Sequence, residues 1–286
     1  MNQALADLRR KLAALEPSPV PEKGRFTLGS GEIDAALEGG LAKAAIHEVF
    51  AAKAGDEPGA SGFALALALR AAPPGRSIVW VRHHLAELEN GALYGPGLAE
   101  FGIDPNRLIL LSLRSDAAVL GAGLEALHCS ALGAVLIEFW GRSSLLDLTA
   151  SRRMMLAVSR SGTTGFLLRP ASPAEPGAAL TRWRIGTLPS AALAKGAPSH
   201  PVFDIALERH RAGIRPESWR VEWNRDHKRF DIAGTGSNAR AEKFSAFRPA
   251  SAGKLPFTAA AVPGAVVSAH FDGQAASGAA RFRRTG

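Results

Sequence analysis

Five short apolar runs decide what this chain can fold into. IHEVF (46–50), SIVWVR (77–82), LILLSL (108–113), AVLIEF (134–139) and TGFLL (164–168) are each nearly unbroken. Helical segments at 62–72, 98–101, 117–129 and 145–159 separate them, the first stopped by Pro73-Pro74. Continuous apolar strands alternating with helices belong in a parallel sheet covered on both faces. After Pro170 the pattern changes. LTRWRI (180–185), FDIALERHR (203–211), SWRVEW (218–223) and KRFDI (228–232) alternate or lack a helical period. They are expected to be half-exposed antiparallel strands. The fold class is therefore α/β, a mostly parallel sheet flanked by helices with antiparallel strands toward the C-terminal end.

Two flanking pieces read differently. Leu5, Leu8, Leu12 and Leu15 form one apolar stripe on a short helix, and Pro17, Pro19 and Pro21 force an extended linker. Residues 1–22 are thus an amphipathic helix with its linker, which packs either on its own domain or on a partner, and 23–233 the α/β domain. Residues 234–286 are small, polar and without period, and are expected to be a disordered tail. The net charge of +8 favours a polyanionic partner. Seven basic and two acidic side chains fall in 240–286, so much of that charge belongs to the tail.

At 47% hydrophobic, 286 residues suffice for one sizeable core. No apolar run is long enough to span a membrane, and the N-terminus lacks a secretory apolar region, so a cytoplasmic protein is expected. Cys129 is the single cysteine, which excludes an internal disulfide or a multi-cysteine zinc site.

The stretch FAAKAGDEPGASGFALALAL (50–69) stands where a phosphate loop would stand, with a strand before it, small residues in it and a helix expected from about Gly62. A working loop needs GxxxxGK[ST], with backbone N–H groups around the phosphates, a lysine on their charge and a hydroxyl on magnesium. Neither register here supplies them. Read from Gly55, Ala60 and Ser61 hold the Gly and Lys positions. Anchored on Gly62, Phe63 and Ala64 hold the Lys and hydroxyl positions. Lys53 lies on the wrong side of the loop. Asp56 and Glu57 put negative charge where phosphates would sit, and Pro58 removes one N–H. Glu138, at the end of AVLIEF, occupies the place of a magnesium-holding acid. Gly59, Ser61, Gly62, Phe63 and Glu138 are the candidate nucleotide positions, read as vestigial. His83-His84 with Glu87 and Glu89 lacks zinc-helix spacing, and Ser151, Ser159 and Ser161 lack an identifiable base. No catalytic residue, metal or cofactor is expected, with ATP binding left open.

The order of pieces carries a resemblance. FTLGSGEIDAALEGGLAKAAIHEVF resembles the entry into the RecA core. ASGFALALALR, SIVWVR, FGIDPNRLILL, AVLIEFWG and ASRRMMLAVSRSGTTGFLL follow in RecA order, covering residues 25 to about 232. EVFAAK…ASGFALALALR, AVLIEFWG and DIALERHRAGIRPESWRVEWNRDHKRFDIAG make the chain similar to the ImuA family, RecA-like accessory proteins of bacterial damage-induced mutagenesis. The resemblance implies a non-catalytic or weakly nucleotide-responsive adaptor in translesion synthesis. Its implied partners are an ImuB-like inactive Y-family polymerase homologue and an error-prone replicative-type polymerase, with RecA and DNA as further candidates. It also implies DNA contacts in the region of Arg142, Arg152, Arg153, Arg160 and Arg169. Residues 140–184 hold seven arginines and two acids. A DNA-dependent ATPase and a SulA-like division inhibitor remain open alternatives.

Overall fold

The computed structural model describes residues 24–190 and 199–233, together with the backbone of strand 268–270. Among the described residues ten strands form one sheet. In chain order these are β3 (Ile46–Ala51), β4 (Ile78–His83), β5 (Leu108–Leu113), β6 (Ala134–Glu138), β7 (Thr164–Leu168), β8 (Thr181–Leu188), β9 (Val202–His210), β10 (Glu217–Asn224), β11 (Arg229–Ile232) and β12 (Ser268–His270). Before them, β1 (Arg25–Phe26) and β2 (Leu41–Ala42) form a small antiparallel ladder. The spatial order is β11-β10-β9-β8-β3-β7-β6-β4-β5-β12. Every pairing from β8 through β3 to β12 is parallel, and every pairing from β8 to β11 is antiparallel.

Burial follows the sequence pattern. β3, β4, β6 and β7 are buried along their whole length, as strands covered on both faces must be. β9 alternates instead, with its apolar face turned to the core.

Six helices among the described residues accompany the sheet: α1 (Gly31–Ala36), α2 (Glu57–Ala71), α3 (His84–Asn90), α4 (Gly95–Glu100), α5 (Asp116–His128) and α6 (Leu148–Ser161). On one face α2 packs into a core that includes Trp80, Leu136, Trp183, Trp223 and Phe230. On the other face Val119 and Leu127 of α5 and Met154 and Val158 of α6 pack on Ile46, Val81 and Ile137. An added Cβ at Gly165 would lie 2.4 Å from Ile46 Cδ1 and 2.9 Å from Leu127 Cδ2, so this face closes only over a bare glycine.

Four readings are revised. Helix α2 begins at Glu57, five residues before the expected start. β8 is antiparallel only toward β9 and runs parallel to β3, which makes it the strand where the sheet changes sense. His84 opens helix α3 rather than a loop, and His83 Nδ1 accepts the Leu85 N–H at its start. Residues 268–270, within the expected tail, form β12 against β5. The Leu5/Leu8/Leu12/Leu15 helix and the rest of the tail lie outside the described residues.

Candidate functional site

The end of β3, the start of α2 and the ends of β4 and β6 meet where a phosphate loop would work. The local sequence explains why the chain folds differently there. Asp-Glu-Pro is a helix-start signal, with acids in the first turn and proline among the first positions. The helix therefore consumes residues that a phosphate loop would leave extended, and Gly59 and Ser61 become helical.

The two acids of this loop and the Gly55 amide are engaged within the chain. Asp56, 1% exposed, does not cap its own helix. Its Oδ1 accepts the Thr187 N–H at 3.0 Å and the Thr187 hydroxyl, tying the helix start to β8. Glu57 Oε2 accepts the Gly55 N–H at 2.6 Å, so a carboxylate of the loop itself takes an amide that would otherwise face a phosphate. An added Cβ at Gly59 would fall 2.1 Å from Thr187 Cγ2, so this glycine serves helix–strand packing. Phe63 is fully buried, with ring centroids 5.8 Å from Trp183 and 5.2 Å from Phe230. A core aromatic thus fills one of the two candidate lysine positions.

Glu138 is wholly buried and fully bonded. Its Oε2 accepts from Arg82 Nε at 2.7 Å and Trp80 Nε1 at 2.9 Å, and its Oε1 from the Ser61 hydroxyl at 3.3 Å. Arg82 and Glu138 are register partners on β4 and β6, which places the pair without any loop. Arg82 also stacks on Trp80, its Cζ 5.2 Å from the ring centroid. The positive charge that magnesium and lysine supply in a phosphate site comes here from the chain. Removing one member of such a pair leaves an uncompensated buried charge, at a cost of about 3–5 kcal/mol.

A second ionic cluster occupies the opposite face. Glu48 and Arg182 are register partners on β3 and β8, joined by bonds of 2.8 and 3.0 Å. Arg169, 2% exposed, lies 3.9 Å from Glu48 and donates to Glu175 at 2.7 Å. The Arg169 and Arg182 guanidinium carbons sit 5.6 and 5.4 Å from the Phe50 ring centroid. These ties hold the connection from β7 to β8 over the sheet. The bond from Arg169 keeps the Glu175 carboxyl below its ordinary range.

The expected DNA-contact arginines therefore separate. Arg169 is removed from the surface by its pairing with Glu48 and Glu175, which corrects its reading as a DNA contact. Arg142 is exposed but its Nε donates to Glu175 at 2.7 Å. Arg152, Arg153 and Arg160 lie on the exposed side of α6, where Leu156 is also 57% exposed.

The other candidates have structural roles. Ser151 Oγ accepts the Ala178 N–H, and Ser161 Oγ accepts the Thr163 N–H. Buried His47 lies between Thr181 Oγ1 and the Ala42 carbonyl, and burial lowers its pKa to about 4. No group of three or more His, Cys, Asp or Glu that could hold a metal occurs among the described residues. No helix among them is long and apolar enough to cross a membrane.

Sequence reasoning missed Arg82, Trp80, Thr187, Glu48, Arg182 and Glu175 as parts of these arrangements. A signal existed: SIVWVR, AVLIEF and IHEVF each carry one charge inside an otherwise apolar strand. A buried charge requires a buried partner.

The sheet order, the strand–helix frame around α2 and the rebuilt phosphate-loop region define a RecA-like α/β protein. The crystal structure of the RadB recombinase matches it with a TM-score of 0.50 at 13% identity, covering 73% of this chain and 100% of that one. No family model matches the sequence. The ImuA proteins of two Caulobacter vibrioides strains are each 31% identical over 223 residues, spanning 73% of this chain and 79% of theirs. The chain belongs to the ImuA family.

Proposed function

We propose that this chain is a non-catalytic RecA-like adaptor in damage-induced mutagenic DNA synthesis. Membership of the ImuA family supports the mutagenesis role. The observation that carries the non-catalytic part is the bonding of Glu138. Its two oxygens are occupied by Arg82, Trp80 and Ser61, and Phe63 fills the core beside them. Phosphoryl transfer is positioning plus charge stabilisation, and the side chains here spend both on each other. The surfaces are then the carriers of function. The proposed partners are an ImuB-like inactive polymerase homologue and an error-prone replicative-type polymerase.

Pull-down of the polymerase homologue by the full chain is the test. Capture should be equal with and without ATP, and should weaken when Leu8 and Leu12 are changed to Asp. ATP-dependent capture unaffected by those changes would overturn the adaptor reading, and DNA-stimulated ATP hydrolysis lost in Glu138→Gln would make the protein an enzyme. Filamentation on expression without polymerase capture would move the reading to a division inhibitor.

A further inference from the structure

A cleft of about 590 Å³ opens beside the rebuilt loop, between α2, the α3–α4 connection and the tips of β8 and β9. Leu65, Leu93, Tyr94, Phe101, Val202 and Phe203 make its lining largely apolar. That volume lies within the range of ligand sites, which combine an apolar lining with a few placed polar groups.

Three polar groups in the lining have unused bonding capacity. Arg82 is 3% exposed, and only its Nε is engaged, by Glu138, so both terminal nitrogens lack a partner among the described residues. The Asn90 amide likewise has no partner among them, and its Nδ2 is buried. Arg225 donates from Nε to His200 Nδ1 at 3.4 Å, and its terminal nitrogens have no hydrogen-bond partner among the described residues. No Asp or Glu lines the cleft among the described residues. Arg225 faces no acid in the lining, and Arg82, its charge matched by Glu138, still offers terminal N–H donors; guanidinium donors of this kind suit a carboxylate. An unpaired side-chain amide, with a donor and an acceptor, matches a peptide group. A nucleotide fits less well, because Glu57 holds the Gly55 amide and no lysine among the described residues lines the cleft.

We propose that this cleft is a docking site for a short acidic peptide segment of a partner protein. An apolar or aromatic side chain of that segment enters between Leu65, Phe101 and Phe203, and its flanking carboxylates meet Arg82 and Arg225. The proposal rests on the adaptor reading and names the chemistry by which such an adaptor would hold a partner.

Gly62 allows the cleft to be plugged. A Cβ there would lie 3.8 Å from Phe203 Cζ and 3.9 Å from Phe101 Cε2, ordinary contact distances, so a longer side chain projects into the space without a backbone clash. Replacing a helical glycine also favours the helix.

The test is fluorescence anisotropy of labelled GDLFDG with the full chain, with GNLFNG as the uncharged control. The expected result is saturable binding of GDLFDG, weaker by roughly tenfold or more for GNLFNG and for Arg225→Glu or Asn90→Ala, and abolished in Gly62→Met. The melting temperature of Gly62→Met should stay at or above that of the parent. Should Gly62→Met fail to fold, the Arg225 and Asn90 variants decide the matter alone. Equal affinity for both peptides, affinity unchanged in those two variants, or no saturable binding at millimolar peptide would overturn the proposal. So would a fluorescent ADP analogue that binds saturably, is excluded by Gly62→Met and is not displaced by GDLFDG. Pull-down separates the two levels. If the parent captures the polymerase homologue and Gly62→Met captures it equally, the cleft proposal falls and the adaptor reading stands. If GDLFDG binds as expected while the parent captures no polymerase component, the adaptor reading falls and the peptide site stands.

Discussion

The two faces of the sheet each hold a buried arginine–glutamate cluster, and the clusters are built on different plans. Arg82–Glu138, on the α2 face, is one cross-strand pair supported by Trp80 and Ser61. Glu48, Arg182, Arg169 and Glu175, on the α6 face, form a chain of ion pairs that pins a long connection. The first is self-contained and leaves terminal guanidinium nitrogens facing a cleft. The second spends its valences on closing the fold. A buried ion pair can thus border a cleft or act as a clasp, and the neighbours of its arginine tell which.

Single substitutions at the first cluster carry the largest expected effect. Glu138→Leu should lower the unfolding free energy by about 3–5 kcal/mol in urea titration, because Arg82 is left buried and unpaired. The double variant Arg82→Met/Glu138→Leu should regain most of that loss. A double variant that stays as unstable as the single would break the idea of a self-contained pair.

His47, beside Glu48 on β3 but on the opposite face, provides the next effect. Its folded pKa of about 4 lies below its ordinary 6.5, so the unfolded chain takes up its proton first on acidification. Its contribution is intact above pH 6.5 and is lost as the pH falls toward 4, by about 3 kcal/mol in all. Thermal unfolding across that window should show a slope that shrinks in His47→Gln.

The second cluster should resist the rescue that works for the first. Glu48→Leu/Arg182→Met should remain about 2 kcal/mol less stable than the parent, because Arg169 still loses Glu48 as a neighbour. Full recovery would reduce the chain of ion pairs to independent contacts. The smallest effect belongs to Arg142→Ala. Its side chain is 78% exposed, and breaking such a pair should change stability by less than about 1 kcal/mol.

Much of the fold was legible because its signals are local. Five apolar runs became five parallel strands, and the change of pattern after Pro170 marked the antiparallel end. The start of α2 is not where a phosphate-loop frame puts it, because Asp-Glu-Pro at residues 56–58 is itself a helix start. β8 was read as wholly antiparallel because its alternation reports burial and not the direction of its neighbours. Arg169 was read as a surface group because charge counting does not register pairing across the fold. The cleft was illegible, since its lining comes from α2, α3, α4 and the β8–β9 end, and from Arg225 beyond β10.

The sequence by itself determined the parallel core, the absence of GK[ST] and the presence of charges inside strands that had to be buried. Those properties depend on spacing and side-chain chemistry along the chain. Only the tertiary structure decided which charge meets which, because cross-strand register sets Arg82 opposite Glu138 and Glu48 opposite Arg182. It also decided that Asp56 holds β8 rather than its own helix. Partners brought together from distant segments follow from how the sheet assembles, and no local pattern specifies them.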